Sequence, residues 1–286
     1  MAGASETAAP PGSPLAGNSG PVRIAVLGAD GRMGRALTRA VLATAPRAKL
    51  TAASERTGNP AVGKDAAALA GAEPAGVVVS GELPGKGAAD VWIDFTAATA
   101  TESVAVAASA AGVGLVIGTT GLGTHARAAI EFAALKIPVV YAPNYSVGIN
   151  VMLKLIADAA RALGPDYDLE IVEAHHRAKH DAPSGTALRL AEALAGATGR
   201  DLTTAARYAR HGDIGPRAPS EIGIQTLRGG DVVGDHTVFF LGTGERIEIT
   251  HRASTRETFA VGAVRAALWV AGRAPALYDM RNVLGI

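Results

Sequence analysis

Short apolar runs alternate with stretches of helical spacing over the first half of the chain. Residues 22–27 (VRIAVL), 91–95 (VWIDF), 115–117 (LVI) and 138–142 (PVVYA) are too brief for helices and lack a sustained polar alternation, which predicts buried strands of a parallel sheet. Residues 49–54 (KLTAAS) predict a further strand. Between these runs, Leu37, Val41 and Leu42, with Met33 a turn earlier, predict a helix; the alanine-rich stretch 99–111 and residues 125–135 predict two more. Strands alternating with helices predict a doubly wound sheet, whose ligands bind beyond the C-terminal ends of the strands. Residues 57–88, rich in Gly, Ala and Pro, show no clear period.

The second half is patterned differently. Residues 148–163 predict a helix with Val151, Leu153, Leu155, Ile156 and Leu163 apolar, and a domain hinge falls just before it. Strands are expected at 168–174, 221–227, 236–241 and 246–251, the last two as a hairpin around 242–245. No crossover helix separates that pair, so an open, mostly antiparallel or mixed sheet is expected. Residues 257–273 predict a closing amphipathic helix, with Phe259, Val261, Val264, Leu268 and Trp269, that returns to the first domain. The fold class is therefore α/β: an N-terminal Rossmann-type doubly wound parallel sheet and a C-terminal α+β domain with an open mixed sheet. The expected division is a disordered extension at 1–20, one domain at 21–146 and 256–286, and a second at 147–255.

Composition narrows the chemistry. The 286-residue chain holds no cysteine, which excludes disulfides, thiolate metal sites and a thiol nucleophile. Its 27 basic and 26 acidic residues leave a net charge of +1, and aromatic residues make up 4%, so neither a phosphate-binding surface nor base stacking points to nucleic acid. No apolar run is long and uninterrupted enough to span a bilayer. Residues 1–20 lack the basic start and apolar core of a secretory signal, and a cytoplasmic setting is expected.

The first strand runs into Gly28-Ala29-Asp30-Gly31-Arg32-Met33-Gly34 and then into a helix. Glycines at 28, 31 and 34 permit a tight turn and close approach to a pyrophosphate, and the helix start offers unpaired N–H groups. Asp30 stands where the common G-x-G-x-x-G pattern has its second glycine, and a plain strand-to-helix turn is the competing reading. The second strand ends at Glu55-Arg56, where a dinucleotide fold places an acid for the adenosine ribose; an arginine there suits a 2′-phosphate. Having both makes NADH and NADPH each acceptable. Gly118-Thr119-Thr120-Gly121 and Ala142-Pro143-Asn144-Tyr145 follow the later strands.

Residues 173–188 (EAHHRAKHDAPSGTAL) hold the densest titratable chemistry. Taken singly, a histidine or lysine near a strand end is usually a solvated surface residue, and adjacent histidines on a strand point to opposite faces. A metal site built from His175, His176, His180 and Asp181 is disfavoured, because Pro183 breaks the helix that would present them. Ser184 is a good helix N-cap, and the N–H groups of Gly185 and Thr186 behind it suit a carboxylate. With Lys179 and a histidine to move protons, the expected reaction is hydride transfer coupled to proton transfer on an acidic small molecule. A non-catalytic nicotinamide redox sensor is the rival; it would need a DNA-binding module, and no basic helix-turn-helix is evident.

Together GADGRMG at 28–34, IDFT at 93–96, GTTG at 118–121, APNYSVGINVM at 142–152, EAHHRAKHDAPSGTA at 173–187, RGGDVVGDHTV at 228–238 and ERIEITHRASTRETFA at 245–260 resemble the dihydrodipicolinate reductase family. The resemblance implies NAD(P)H-dependent reduction of a small cyclic dicarboxylate, 4-hydroxy-tetrahydrodipicolinate, in the diaminopimelate route to lysine. It implies a homotetramer assembled through the sheet of the 147–255 domain. It also implies roles: His175 as proton donor and acceptor, Lys179 as second proton donor, and His176, Gly185 and Thr186 as substrate contacts. Cofactor contacts are implied for Gly28, Ala29, Asp30, Gly31, Arg32 and Met33, for Glu55 and Arg56, for Gly118, Thr119 and Thr120, and for Ala142, Pro143, Asn144 and Tyr145.

Overall fold

The computed structural model describes residues 20–286; the extension expected at 1–20 lies, but for Gly20, outside the described residues. The chain forms two compact units. The first runs to Val147 and regains the chain at Glu257–Ile286; the second is Gly148–Arg256.

The first unit begins β1 (Val22–Leu27), α1 (Arg32–Ala43), β2 (Ala48–Ser54), α2 (Ala66–Leu69), β3 (Val79–Ser80), β4 (Val91–Asp94), α3 (Ala98–Ala111), β5 (Gly114–Ile117), α4 (Thr124–Ala134) and β6 (Pro138–Tyr141). Helix α5 (Val147–Leu163) leads into the second unit: β7 (Asp168–His175), α6 (Gly185–Thr198), α7 (Leu202–Ala205), β8 (Ala206–Arg207), β9 (Ile222–Arg228), β10 (Gly234–Leu241) and β11 (Arg246–Ala253). Helix α8 (Glu257–Val270), β12 (Ala276–Tyr278) and α9 (Met280–Leu284) close the first unit.

Seven parallel strands in the order β12-β6-β5-β4-β1-β2-β3 make the first sheet. Strands β4 and β5 are buried at every position, as a sheet covered on both faces requires. One face packs on α1, α8 and α9, and the other on α3 and α4. Helix α8 fits because its sheet side is small: Ala260, Gly262, Ala263, Ala266 and Ala267 are all buried. A Cβ on Gly262 would stand 1.8 Å from the Tyr145 carbonyl oxygen, so glycine there permits backbone contact.

The second sheet has the order β11-β10-β7-β9-β8, antiparallel from β11 to β7 and parallel from β7 to β8, and is therefore mixed. Its inner face carries Leu169, Ile171, Ile222, Ile224, Val238 and Phe240, which pack with Ile149, Met152 and Ile156 of α5 and Leu190 and Leu194 of α6. Residues of β7 alternate strictly between the two faces. The hairpin turn at 242–245 forms as its pattern predicts, closed by Gly242 N–H donating to the Glu245 carbonyl. The strands β8 and β12 and the short helices α7 and α9 had no clear pattern of their own, being brief elements secured by tertiary contact.

Candidate active site

The two candidate regions lie one in each unit. In the first, Gly28 turns with φ +72°, and Cβ atoms at Gly31 and Gly34 would stand 3.3 and 2.0 Å from the Gly28 carbonyl oxygen. The last value explains the third glycine of the loop: α1 leaves the strand so tightly that a side chain would collide with backbone. Within the loop, the Gly28 and Ala29 amides donate to the Ser54 carbonyl and Gly31 to Gly28. The Asp30 amide donates to Glu55 Oε1 at 3.0 Å. The amides left at the head of α1 are those of Arg32, Met33 and Gly34, and no side chain caps that helix end. They are the natural anion donors.

A groove of about 610 Å³ opens here, bordered by Gly28, Gly31, Glu55, Arg56, Phe95 and Thr96. Beyond the expected residues it is walled by Gly81 and Leu83, from the stretch without a period, and by Thr99, Ala100 and Ser103 at the start of α3. Glu55 also accepts the Arg56 amide through Oε2 at 3.2 Å. Buried Asp94 shapes the rim, accepting the Thr96 amide and hydroxyl at 2.9 and 2.6 Å and the Thr101 hydroxyl at 3.0 Å.

At the ends of β5 and β6, Gly118 carries the Phe95 ring: a Cβ would lie 2.1 Å from it. Thr119 Oγ1 is buried and has no hydrogen-bond partner among the described residues. Such an orphan beyond the C-terminal end of β5 fits a polar ligand such as a nicotinamide dinucleotide. Tyr145 differs from the simple expectation of a contact residue. Its ring is buried and its hydroxyl sits 2.9 Å from the Ile117 carbonyl and 3.0 Å from that of Val140, tying β5 to β6. Burial pushes its phenol well above its usual range.

The second region is built across β9, β7 and β10. Thr226, Glu173, His236 and His251 stand in register as one row of neighbouring strand positions. His175 is two residues beyond Glu173 on the same face, opposite Arg228. Glu173 is fully buried, and His175 and His236 are 8% and 4% exposed. Glu173 Oε2 accepts from His175 Nδ1 at 2.5 Å and Arg228 Nη1 at 2.8 Å. Its Oε1 accepts from the Ser184 amide at 2.9 Å, Arg228 Nη2 at 2.8 Å and the Thr226 hydroxyl at 3.2 Å. Burial alone would raise this carboxyl's pKa; the hydrogen bonds from His175, Arg228 and the Ser184 amide reverse that and bring it down to about 2.

An ionised carboxylate only accepts, so His175 Nδ1 carries a proton and Nε2 is left to exchange one. The His236 ring meets His175 edge-on, with centroids 5.2 Å apart, and its Nε2 is 3.2 Å from Ser184 Oγ. Burial, and then the neighbouring His175, lower the His236 pKa to about 4. It is neutral in the physiological range.

From His175 the chain turns through His176, whose amide donates to the Val232 carbonyl, to Lys179. The Lys179 ammonium pairs with Asp181 Oδ1 at 2.8 Å, while His180 is exposed. Ser184 then caps α6 as expected, its Oγ accepting the Ala187 amide at 3.1 Å. Gly185 opens the helix, exposed, with nothing near its Cβ position. The structure thus gathers His175, Lys179, Asp181 and the head of α6 in one unit. It adds three groups that the motif alone did not mark: Glu173 as a buried carboxylate, Arg228 and His236. A signal existed in β7, whose inward positions read Leu169, Ile171, Glu173, His175; the apolar alternation stops two residues before the histidine.

Two family models match the chain, and the second runs past the second unit into the closing segment Glu257–Leu284 of the first. The model for the N-terminal part of dihydrodipicolinate reductase matches residues 22–145, and that for the C-terminal part matches 148–284. A 4-hydroxy-tetrahydrodipicolinate reductase of Anaeromyxobacter dehalogenans (strain 2CP-C) is 56% identical over 268 residues, covering 92% of this chain and 98% of the relative. One of Myxococcus xanthus (strain DK1622) is 51% identical over 270 residues, at the same two coverages. Among solved structures, dipicolinate-bound dihydrodipicolinate reductase from Paenisporosarcina sp. TG-14 has the same fold: TM-score 0.72 and 23% identity over 92% of this chain and 98% of that one. The myo-inositol 2-dehydrogenase of Lactobacillus plantarum shares the architecture more loosely, with a TM-score of 0.54 and 14% identity over 87% of this chain and 88% of that one. Two family models placed end to end, and relatives matched along nearly their whole length, put this chain in the dihydrodipicolinate reductase family.

Proposed function

We propose that His175 and Lys179 are the proton-handling residues of a reductase that converts 4-hydroxy-tetrahydrodipicolinate, with NAD(P)H and a proton, to tetrahydrodipicolinate and water, in the diaminopimelate route to lysine. The observation that carries the reading is the buried Glu173–His175 contact at the root of the loop that bears Lys179 and ends at the capped start of α6. When bound, the nicotinamide supplies a hydride. His175, with Nδ1 engaged, would take up a proton at Nε2 from solvent and pass it to the neighbouring ring carbon, returning to the neutral imidazole. Lys179 holds a substrate carboxylate or donates a second proton, and Asp181 keeps its ammonium beside the loop. The amides of Gly185 and Thr186 receive a carboxylate at the helix start, with His176 as a further contact.

On the cofactor side, Arg32 and Met33 offer amides to the pyrophosphate, and Glu55 faces the adenosine ribose with two oxygens already fixed by backbone N–H groups. The Arg56 guanidinium borders the same groove and makes no hydrogen bond or ion pair with the described residues, so it is available to a 2′-phosphate. Both NADH and NADPH are accommodated on this reading. The outer face of the second sheet, where Val172, Ala174 and Phe239 are partly exposed and Leu227 is 57% exposed, supports a homotetramer built on that face. A cytoplasmic setting goes with the pathway; among the described residues no helix is long and apolar enough to cross a membrane.

The test is oxidation of NADH and of NADPH, followed by absorbance, with substrate generated in place from pyruvate and aspartate semialdehyde by the preceding synthase. Turnover that falls by about 10²-fold or more in His175→Ala and Lys179→Ala, with cofactor affinity retained, is the expected result. Near-normal turnover in either variant would remove that residue from its role. The ratio of the two cofactors, wild type against Arg56→Ala, reads the arginine's share, and light scattering reads the assembly.

A further inference from the structure

We propose that Glu173, clamped by Arg228, is the positioning residue of this site: it fixes the tautomer and orientation of His175 and ties both ends of the Lys179 loop to that ring. The inference rests on the reading of His175 as the proton donor, and it extends that reading to residues outside the motif's recognised chemistry.

The geometry is specific. Two carboxylate oxygens receive five hydrogen bonds from four residues, two of them from Arg228. His175 Nδ1 is the first. A ring that donates through Nδ1 to an ion that cannot donate back is held as one tautomer, with Nε2 as the exchanging nitrogen. Ser184 N–H is the second, and Ser184 is the N-cap of α6, so the carboxylate also fixes where that helix starts. Arg228 is the third. It grips Glu173 with two nitrogens and reaches past it to the Asp181 carbonyl at 2.6 Å. The loop between His175 and Ser184 is thus pinned at its beginning, near its end and at its exit by one ion pair. Thr226, the neighbour of Glu173 on β9, completes the shell.

A charge pair at this depth is costly to bury, and an apolar pair of similar size would serve packing alone as well. What an apolar pair does not supply is an acceptor for Nδ1 and for the Ser184 amide. His236 bears on the same question. It packs edge-on against His175 from β10 and is neutral, so it adds bulk beside the ring without a competing positive charge.

The test compares Glu173→Gln with Glu173→Asp by steady-state kinetics and by NMR of the imidazole nitrogens in histidine-labelled protein, with His175→Ala identifying the His175 signals. In the neutral ring of the wild type, His175 is expected to carry its proton on Nδ1 and to show a bare Nε2. Glutamine presents an amide that can donate to Nδ1, so the tautomer is expected to change. The turnover number should fall by about 10²–10⁴-fold with KM altered far less. Aspartate, which keeps the charge and the acceptor, should recover part of the rate. A wild-type His175 that carries its proton on Nε2 would overturn the proposal whether or not any variant folds. So would a folded Glu173→Gln enzyme with turnover within about threefold of wild type, because general acid–base loss is far larger. If His175→Ala keeps its turnover, the acid–base reading fails instead, and the wild-type nitrogen signals still report whether Glu173 sets the ring.

Discussion

Strand β7 carries two glutamates three residues apart, and they face opposite sides of one sheet. Both are gripped by arginine. Glu173, on the inner face, meets Arg228 through two oxygens at 2.8 Å and is fully buried. Glu170, on the outer face, meets Arg210 at 2.7 and 2.9 Å and Arg217 at 3.0 Å, and its side chain is 14% exposed. Burial alone would raise both carboxyls, and in both cases the arginines and other donors reverse it, so the pKa of each is lowered. The difference lies in what else each carboxylate holds. Glu170 belongs to a network of ions, with Asp168 and Glu221 sharing the same arginines. Glu173 holds a histidine ring, a helix cap and a loop. Two equivalent-looking ion pairs therefore do different work, and burial together with the identity of the remaining donors separates them.

Removing the arginines should expose that contrast most strongly. Arg228→Ala leaves a buried carboxylate without its counter-ion and should cost about 3–5 kcal/mol. Arg210→Ala leaves Glu170 still paired with Arg217 at a wetter position and should cost about 1 kcal/mol or less. Urea midpoints of the two variants check the ordering; equal losses would mean that the inner pair is no more than another structural bridge.

Acid should act on the inner row in two separate windows. His236 has a folded pKa of about 4 against 6.5 for the free side chain, with burial the main cause. Between those values the unfolded chain binds more protons, so stability falls as pH drops from 6.5 towards 4, by on the order of 3 kcal/mol. Partly buried His251, next in the row, has its pKa lowered as well and adds in the same sense. Glu173 acts below that. Its stabilisation is whole above the ordinary value of 4.5 and is lost as pH falls through about 2, again by on the order of 3 kcal/mol. Chemical denaturation across pH should show His236→Asn flattening the upper window while leaving the lower one in place. An unchanged upper window would mean that His236 is not the group responsible.

Much of this was legible beforehand, and for identifiable reasons. The strands β1, β4, β5 and β6 were readable because a sheet covered on both faces demands continuous apolar runs. The cap at Ser184 was readable because capping chemistry is local. The hairpin at 242–245 was readable from its Gly-Thr-Gly-Glu turn between two short strands. What could not be read was what depends on register. Glu173 meets Thr226 and His236, 53 and 63 residues away in sequence, only once β7 sits between β9 and β10, and no spacing along one strand reveals that row. Likewise Tyr145 was expected among the cofactor contacts, yet its hydroxyl serves the carbonyls of Ile117 and Val140, a use that appears only when β5 and β6 are side by side. The groove wall at Gly81 and Leu83 lies in a stretch without period, because loops carry no repeat to detect.

The finest comparison uses two glycines, one beneath each glutamate's neighbourhood. On the outer face, Gly223 stands opposite Glu170, and a Cβ there would lie 1.7 Å from its Oε2. On the inner face, a Cβ at Gly234 would lie 3.0 Å from His175 Nε2 and 3.4 Å from its Cδ2. Gly223→Ala must push the carboxylate away from Arg210 and Arg217, which should cost about 1–3 kcal/mol of stability. It should leave the turnover number unchanged, since neither Gly223 nor Glu170 has a part in the proposed proton transfer. Gly234→Ala asks the imidazole to give by a few tenths of an ångström. Glu173 resists that movement through Nδ1, so the ring must tilt about that bond and Nε2 must move. A displacement of that size should lower turnover by about three- to tenfold, with little change in the unfolding midpoint. Stability should thus follow the outer glycine and rate the inner one. If both variants lose stability and neither loses rate, Nε2 tolerates displacement, and the tight hold of Glu173 on the ring is not what sets the speed of the proton transfer.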